Sequence, residues 1–264
     1  MALPILLPMT SSDISESTSL PALPSCSSRC SPWLTPIAYW LGQHLVLPLY
    51  FGPITITGQQ HIPSQGPVIF APTHRARWDS IVLPLAAGRP ATGRDLHFMV
   101  TDDEVKGLQG WFIRRLGGFP VNVRRPTVAS LRHGIDLLRN QAMLVIYPEG
   151  GIRREDHIHS LKPGLARLAV QAAATEPDLN IAILPVDIYY GEAYPRWRCP
   201  VQIHVGAPLK VNAYLQGQTA PEVLKAGAKH ITTDLKAQLR AMIAERQHRT
   251  IPHPPEPVGG PDRP

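Results

Sequence analysis

Short apolar runs alternate with longer segments of helical periodicity along most of the chain. The apolar runs are nearly continuous, which is typical of strands that are buried on both faces of a sheet. They predict strands at residues 54–57, 68–72, 96–100, 121–123, 143–147, 181–188 and 201–205. The segments between them predict helices at residues 79–87, 107–115, 127–140, 163–174 and 221–246.

The periodicity is clearest in the third predicted helix, where apolar residues recur at spacings of three, four and three. These residues are Val128, Leu131, Ile135 and Leu138, and we expect them to face the core. Buried strands separated by helices predict an α/β fold. We expect a largely parallel mixed sheet of about seven strands, flanked by helices and preceded by an apolar membrane-associating helix.

The domain organisation follows from length and local composition. A chain of 264 residues is at the upper end of what one hydrophobic core serves. We expect a disordered Ser/Pro-rich tail at 1–31, an apolar segment at 32–52, a folded domain at 53–247 and a disordered Pro-rich tail at 248–264. The first tail lacks the basic start of a secretory signal and has only weak features of a transit peptide.

The apolar segment carries no formal charge between residues 33 and 51 and is rich in Trp, Tyr and Leu. It is nearly long enough to cross a bilayer, but Pro36, Gln43, His44 and Pro48 weaken that interpretation. An aromatic-rich helix lying in the membrane interface fits better. A core helix packed under the sheet is the alternative, and the sequence does not decide between them.

The composition of the chain limits the kinds of partner that we expect. The net charge of +6 suits phosphate-bearing partners, and the basic excess lies in the body of the chain. No basic stripe is interleaved with aromatic residues, so we expect no nucleic acid partner. The cysteines Cys26, Cys30 and Cys199 lack a metal spacing, and the histidines are scattered. We therefore predict no metal and reduced thiols in a cytosol-like compartment.

His74 and Asp79 stand where the apolar run 68–72 breaks into a polar turn. A carboxylate beside one ring nitrogen of a histidine fixes its tautomer and steadies the imidazolium, so the pair can act as a general base. Ligands of open α/β sheets also bind beyond the carboxyl ends of strands. A solvated turn, or Asp79 serving only as a helix N-cap, is the alternative.

Two glycine-containing segments follow. GGFPVNVR, residues 117–124, has glycines such as Gly118 that allow close backbone approach to a ligand, and a short strand that delivers Arg124. A buried strand then runs into YPEGGIRR, residues 147–154, where backbone amides of Gly150 and Gly151 can face an anion. Taken singly, each segment fits a plain turn with solvated arginines better than a ligand site.

The order of four motifs is more specific than any one of them. HRARWD at 74–79, GGFPVNVR at 117–124, YPEG at 147–150 and LPVDI at 184–188 resemble the four sequence blocks of the glycerolipid acyltransferase family. That family includes the 1-acylglycerol-3-phosphate acyltransferases. The resemblance extends from about residue 54 to residue 208.

The resemblance implies roles for individual residues. His74 would be the general base and Asp79 its orienting partner. The residues implied in substrate binding are Gly118, Arg124, Glu149, Gly150, Gly151, Arg153, Arg154 and Pro185. Arg124 would hold the phosphate of the acceptor, and Pro185 belongs to a block linked to the acyl chain.

The sequence departs from the family pattern at two places. Thr73 precedes His74 where Asn is usual, and Ala76 stands where Ser is usual. Gly151 and Ile152 follow Glu-Gly where Thr-Arg is usual, which puts the roles of Arg153 and Arg154 in doubt.

The expected activity is transfer of an acyl group from acyl-carrier protein or acyl-CoA to the sn-2 hydroxyl of 1-acyl-sn-glycerol 3-phosphate, giving phosphatidic acid. His74 would take the proton of the hydroxyl, and amides near the helix start after His74 would bind the oxyanion. We expect no cofactor, a membrane-associated protein on the cytoplasmic face, and anionic lipid as a partner. Another acceptor is the alternative, as is a non-catalytic basic membrane-binding protein.

Overall fold

The computed structural model describes residues 27–122 and 126–249, and within these ranges eight strands form one sheet. The strands are β1 (Ile54–Thr57), β2 (Val68–Pro72), β3 (Leu96–Thr101), β4 (Gly118–Val121), β5 (Met143–Val145), β6 (Ala182–Tyr190), β7 (Val201–Val205) and β8 (Leu209–Lys210). The helices are α1 (Leu34–Leu41), α2 (Leu47–Tyr50), α3 (Asp79–Ala87), α4 (Arg89–Thr92), α5 (Gly107–Arg115), α6 (Val128–Arg139), α7 (Gly164–Thr175), α8 (Val211–Leu215) and α9 (Pro221–Arg249).

The sheet is mostly parallel, as the sequence predicts. Its strand order is β1-β7-β6-β2-β5-β3-β4. The strands β6, β2, β5, β3 and β4 run parallel, whereas β7 and the short β8 pair with β6 in the antiparallel sense. The pairing of β2 with β5 and β6 places the carboxyl end of β2 in the middle of the sheet, where parallel folds bind ligands.

Most predicted elements form, with shifts at their ends. β4 begins at Gly118, three residues before the predicted strand, and the end of that prediction lies outside the described residues. β5 ends at Val145, earlier than predicted, because Pro148 lacks the amide that would continue the ladder. β8 was not predicted, since two residues carry no recognisable strand pattern.

The predicted core face of α6 is confirmed for Ile135 and Leu138 and wrong for Val128 and Leu131. Val128 is 64% exposed and Leu131 is 37% exposed. The residues of α6 that are buried are Ser130, Gly134 and Leu138. The reason is close packing: an added Cβ at Gly134 would lie 2.7 Å from Leu168 Cδ1 of α7, so the small side of α6 faces its neighbour.

The apolar segment is helical from Leu34 to Tyr50, with a π-helix at Gly42–Val46 joining α1 to α2. The π-turn stands next to Pro48, which has no amide to donate to the preceding turn. Leu47 and Phe51 are buried in the core, while Trp40 and other residues of the outer face are exposed. No helix within the described ranges is long and apolar enough to cross a bilayer.

Two hydrophobic clusters lie on opposite faces of the sheet. One contains side chains of α6, α7, α8 and α9, and the other contains side chains of α2 and α3.

Residues near the end of the predicted first tail lie against the fold, since the amide of Arg29 donates to the carbonyl of Arg114 and Cys30 forms a β-bridge with Leu116. The predicted second tail starts at residue 248, whereas α9 continues to Arg249, and the rest of that tail lies outside the described residues.

Candidate active site

His74 and Asp79 form a hydrogen-bonded pair at the carboxyl end of β2. His74 Nδ1 lies 2.8 Å from Asp79 Oδ2, and the side chain of Asp79 is fully buried while that of His74 is 20% exposed. A buried carboxylate accepts, so Nδ1 carries the proton and Nε2 is left as the basic nitrogen. The pair therefore has the arrangement that general-base catalysis requires.

The turn between β2 and α3 is held from both sides. The hydroxyl of Thr73 donates to the carbonyl of Ile188 and accepts from its amide, which fastens the end of β2 to β6. Asp79 Oδ2 accepts the amides of Arg75 at 2.6 Å and Ala76 at 3.0 Å. Thr73, which replaces the usual Asn, thus fixes the residue before His74.

These amide bonds narrow one prediction. The amides of Arg75 and Ala76 donate to Asp79, so the predicted oxyanion donors are the amides closer to the start of α3. Asp79 is also not the N-cap of α3, because Trp78 holds that position and Asp79 is the first helical residue. The carboxylate folds the preceding turn rather than capping the helix.

Tyr190 is a further member of the site that the sequence reasoning missed. Its hydroxyl donates to Asp79 Oδ1 at 2.7 Å, and the residue is only 4% exposed. Burial first, and the Asp79 carboxylate next, raise the pKa of Tyr190 above its ordinary value, so the hydroxyl remains a donor. The sequence carries one signal for Tyr190, which is its position at the end of a predicted strand. The sequence does not show that this strand lies beside β2.

Tyr147 forms one wall around the imidazole. Its ring stacks on that of His74 with 4.0 Å between centroids and 23° between planes. Its hydroxyl is buried without a hydrogen-bond partner among the described residues. Burial, followed by the nearby Asp79 carboxylate, raises the pKa of Tyr147 well above its ordinary value. This stacking fixes the plane of the imidazole ring beside the cavity.

His74 lines a cavity of about 780 Å³ that extends between the first helices and the sheet. Much of the lining is apolar and comes from α2, α3, β3 and α5. It includes Leu47, Ile81, Leu85, Leu96, Phe98 and Ile113. A cavity of this volume with an apolar lining suits a long hydrocarbon chain beside the histidine.

The other part of the cavity is polar and lies at the turn after β5. Gly150 and Gly151 line it, and Gly150 has a φ of 73°, which is the left-handed conformation that favours glycine. Gly118 also lines the cavity. Lys162 adds a cation that the sequence reasoning missed, and it has no ion-pair partner in the part of the chain that the structure describes. Arg77 lines the cavity as well and pairs with Glu104 at 2.7 Å.

Glu149 does not line the cavity and is 3% exposed. Its Oε1 accepts the amide of His159, and its Oε2 lies 3.7 Å from Arg75 Nη1. Arg75, also buried, donates to the carbonyls of Arg153 and His157. Glu149 and Arg75 therefore join the histidine turn to the loop that follows YPEGG.

Three of the remaining predicted site residues, Arg153, Arg154 and Pro185, do not line the cavity. The amide of Arg153 donates to the carbonyl of His74 at 2.7 Å, and the side chain is exposed. The guanidinium of Arg154 lies 4.4 Å from the ring centroid of Tyr194. Pro185 is buried within β6, opposite Ala71 of β2. Arg124 lies outside the described residues.

Comparisons with known proteins match this chain to acyltransferases. A family model described as Acyltransferase matches residues 53–189, about half of the chain. The chain is 31% identical over 134 residues to the mitochondrial glycerol-3-phosphate acyltransferase 1 of Sus scrofa, covering 47% of this chain and 16% of that protein. It is 27% identical over 142 residues to the 1-acyl-sn-glycerol-3-phosphate acyltransferase of Streptococcus pneumoniae, covering 50% of this chain and 48% of that protein.

A solved structure shares the fold. The 1-acyl-sn-glycerophosphate acyltransferase PlsC from Thermotoga maritima matches with a TM-score of 0.59 at 19% identity, covering 82% of this chain and 80% of that chain. The sequence matches are shorter: they span about a sixth of the Sus scrofa protein and about half of the Streptococcus pneumoniae protein.

Proposed function

The chain belongs to the glycerolipid acyltransferase family, and on that premise we propose that it acylates the sn-2 hydroxyl of 1-acyl-sn-glycerol 3-phosphate. The donor is a fatty acyl thioester of acyl-carrier protein or CoA, and the product is phosphatidic acid. The observation that carries the proposal is the position of His74, which lines one cavity together with apolar side chains, the glycine turn at residues 150–151 and Lys162.

The proposed reaction is a direct transfer. The acceptor hydroxyl gives its proton to His74 Nε2 as its oxygen attacks the thioester carbonyl, forming a tetrahedral oxyanion. Asp79 stabilises the imidazolium through Nδ1. The intermediate then collapses, the carbon–sulfur bond breaks, and the thiolate takes the proton back from His74 to leave as a thiol.

We assign binding of the acceptor phosphate to the polar part of the cavity. Lys162 supplies a positive charge there, and the turn at Gly150 and Gly151 brings backbone close to the ligand. Holding the phosphate at this end orients the neighbouring hydroxyl toward His74, and such positioning lowers the barrier substantially. We propose that Lys162 shares this role with Arg124, which the family resemblance implies.

Glycerol 3-phosphate is the second candidate acceptor. It is supported by the 31% identity to glycerol-3-phosphate acyltransferase 1, which exceeds the 27% identity to the 1-acyl-sn-glycerol-3-phosphate acyltransferase. The two acceptors share the phosphate and differ in the acyl chain. The apolar lining of the cavity suits the donor's acyl chain with either acceptor, so the acceptor panel below separates them.

We also propose that the enzyme binds the cytoplasmic face of a membrane through an apolar surface. This apolar surface consists of Trp33, Ile37, Trp40, Leu45, Leu49 and Trp197. Trp197 belongs to it because its Nε1 donates to the carbonyl of Leu49 at 3.0 Å. Exposed aromatic and aliphatic side chains in one patch are typical of interfacial binding.

An acceptor panel tests the proposed function. Purified full-length protein is incubated with labelled acyl donor and, separately, 1-acyl-sn-glycerol 3-phosphate, glycerol 3-phosphate, a lysophosphatidylcholine or a monoacylglycerol. We expect the highest kcat/KM with 1-acyl-sn-glycerol 3-phosphate, and a Lys162→Ala variant with a raised KM for phosphate-bearing acceptors. Equal rates with the monoacylglycerol would contradict the role of the phosphate.

A further inference from the structure

A concave groove of about 940 Å³ runs between α7 and α9. We call it the basic groove because cationic side chains dominate its lining. They are Arg167, Lys225, Lys229, Lys236 and Arg240. No aspartate or glutamate of residues 27–122 and 126–249 lines it. The floor between the cations is made of small apolar side chains such as Val170 and Ala228.

The positive charge of the basic groove is not neutralised within the described fold. None of its five cations forms an ion pair with a described carboxylate. The cations of α9 follow one face of the helix from Lys225 to Arg240, a distance of about 22 Å at 1.5 Å per residue. A row of unpaired like charges along a groove attracts an extended acidic partner.

The basic groove adjoins the catalytic cavity. Both are lined by the loop at residues 160–165, which precedes and begins α7. Ser160, Leu161 and Pro163 of this loop line the groove, whereas Lys162 and Gly164 line the cavity. A partner that docks in the groove is therefore next to the polar end of the cavity, where an attached thioester arm can enter.

The basic groove lies in a different layer from the apolar surface. α7 and α9 contribute to the hydrophobic cluster on one face of the sheet, whereas Leu47 of the first helical segment contributes to the cluster on the other. When the apolar surface contacts a membrane, the basic groove lies on the other side of the sheet from that membrane. This placement favours a soluble acidic partner over lipid headgroups.

We propose that the basic groove is the docking surface for an acidic acyl-carrier protein, which presents its acyl thioester to the cavity. This inference rests on the proposed function and adds the identity of the donor. A cation row of about four helical turns matches carboxylates spaced along a helix of a protein, whereas the phosphates of CoA are clustered. Exposed charges of this kind mainly orient the partner and speed its association, so docking is weakened by salt.

Charge reversal tests the docking surface. The variant Lys229→Glu/Lys236→Glu is compared with a control of equal charge change, Arg132→Glu/Lys210→Glu, whose exposed side chains lie outside the groove. We measure kcat and KM with acyl-carrier protein thioester and with acyl-CoA at low salt. We expect the groove variant to raise KM for the carrier-protein donor about tenfold, with kcat and the acyl-CoA values unchanged.

Other outcomes either overturn the docking proposal or separate it from the proposed function. Unchanged carrier-protein kinetics in the groove variant, or equal losses with both donors, would overturn the proposal. Binding of labelled acyl-carrier protein is measured in parallel by fluorescence anisotropy. If wild-type protein transfers no acyl group but binds the carrier in the groove, the proposed function fails while the docking surface stands. If wild-type protein uses acyl-CoA and does not bind the carrier, the docking proposal fails alone.

Discussion

At the scale of single residues, the Asp79 carboxylate organises the site. It accepts hydrogen bonds from the imidazole of His74, from the amides of Arg75 and Ala76, and from the hydroxyl of Tyr190. One carboxylate thus fixes the tautomer of the imidazole, the shape of the turn that carries His74, and the distance to β6. These four hydrogen bonds explain how the Asp79 carboxylate remains fully buried with a histidine, rather than a lysine or an arginine, as its partner.

Replacing Tyr190 with Phe tests this arrangement. The change removes one hydrogen bond to a charged group, which is worth about 1.5 to 3 kcal/mol, and leaves Asp79 Oδ1 without that donor. Because Tyr190 acts through Asp79 on His74, we expect kcat to fall about tenfold while KM for both substrates is unchanged. Steady-state kinetics measured beside thermal unfolding check this expectation.

Tyr189→Phe is the matched control, since it keeps the ring beneath the guanidinium of Arg246. We expect this control to retain wild-type kcat. If Tyr190→Phe also retained wild-type kcat, the hydrogen bond to Asp79 would have no part in positioning the base.

The sequence predicted some of these residues and not others. His74 and Asp79 are close in the chain, so their contact depends on one local turn and could be predicted from spacing. The contact of Tyr190 with Asp79 depends on β6 lying beside β2, a register that the sequence pattern does not specify. Lys162 was missed for the same reason, because its place in the cavity depends on how a long loop returns.

At the scale of elements, the buried pair Arg75 and Glu149 joins two loops. Arg75 follows the histidine and Glu149 follows β5, and the guanidinium also binds carbonyls of the loop that continues from YPEGG. The resemblance to the family implied that Glu149 binds substrate. Its burial and its contacts support a positioning role instead.

A Glu149→Gln substitution distinguishes these roles. Removing one charge of a buried pair leaves the other uncompensated, so we expect about 3 kcal/mol less free energy of unfolding. We expect the KM for the acceptor to stay within about twofold in the folded fraction, since Glu149 does not line the cavity. Denaturant unfolding and steady-state kinetics are the two measurements.

Glu176→Gln is the control, because Glu176 pairs with Arg139 on the surface and exposed pairs contribute less than about 1 kcal/mol. A large rise in KM with unchanged stability would show that Glu149 contacts the substrate.

The elements also show where sequence patterns stop being informative. Helices α3 and α5 have the predicted bounds because their periodicity and their flanking turns agree. Only half of the predicted face of α6 is buried, because close packing on α7 selects small residues at Ser130 and Gly134, which an apolar pattern does not reveal. Hydrophobicity predicts that a helix is buried more reliably than which side of it is buried.

At the scale of the whole molecule, the sheet separates two surfaces of different character. The apolar surface lies with the first helices, and the basic groove lies with α7 and α9 on the other layer. The cavity that His74 lines lies between the first helices and the sheet. Under the proposed function, we expect a lipid acceptor to enter from a membrane at the apolar surface and a soluble donor to approach from the basic groove.

Vesicle binding tests the apolar surface. In an Ile37→Ser/Trp40→Ser variant, two exposed side chains can no longer be buried in lipid, and each such burial is worth about 1.5 to 3 kcal/mol. We expect binding to anionic phosphatidylglycerol vesicles, measured by co-sedimentation, to fall more than about tenfold. Val128→Ser, an exposed apolar residue of α6, should bind as the wild type does. Equal binding by all three proteins would exclude the apolar surface as the membrane contact.

The most direct test of the central claim is the rate of acyl transfer by a His74→Ala variant. Wild type and variant are compared with the same labelled acyl thioester and 1-acyl-sn-glycerol 3-phosphate, after circular dichroism has shown equal folding. Loss of a general base typically lowers the rate by a factor of about 10² to 10⁴, so we predict at least a hundredfold fall in kcat. Transfer by His74→Ala at the wild-type rate would contradict the assignment of His74 as the base.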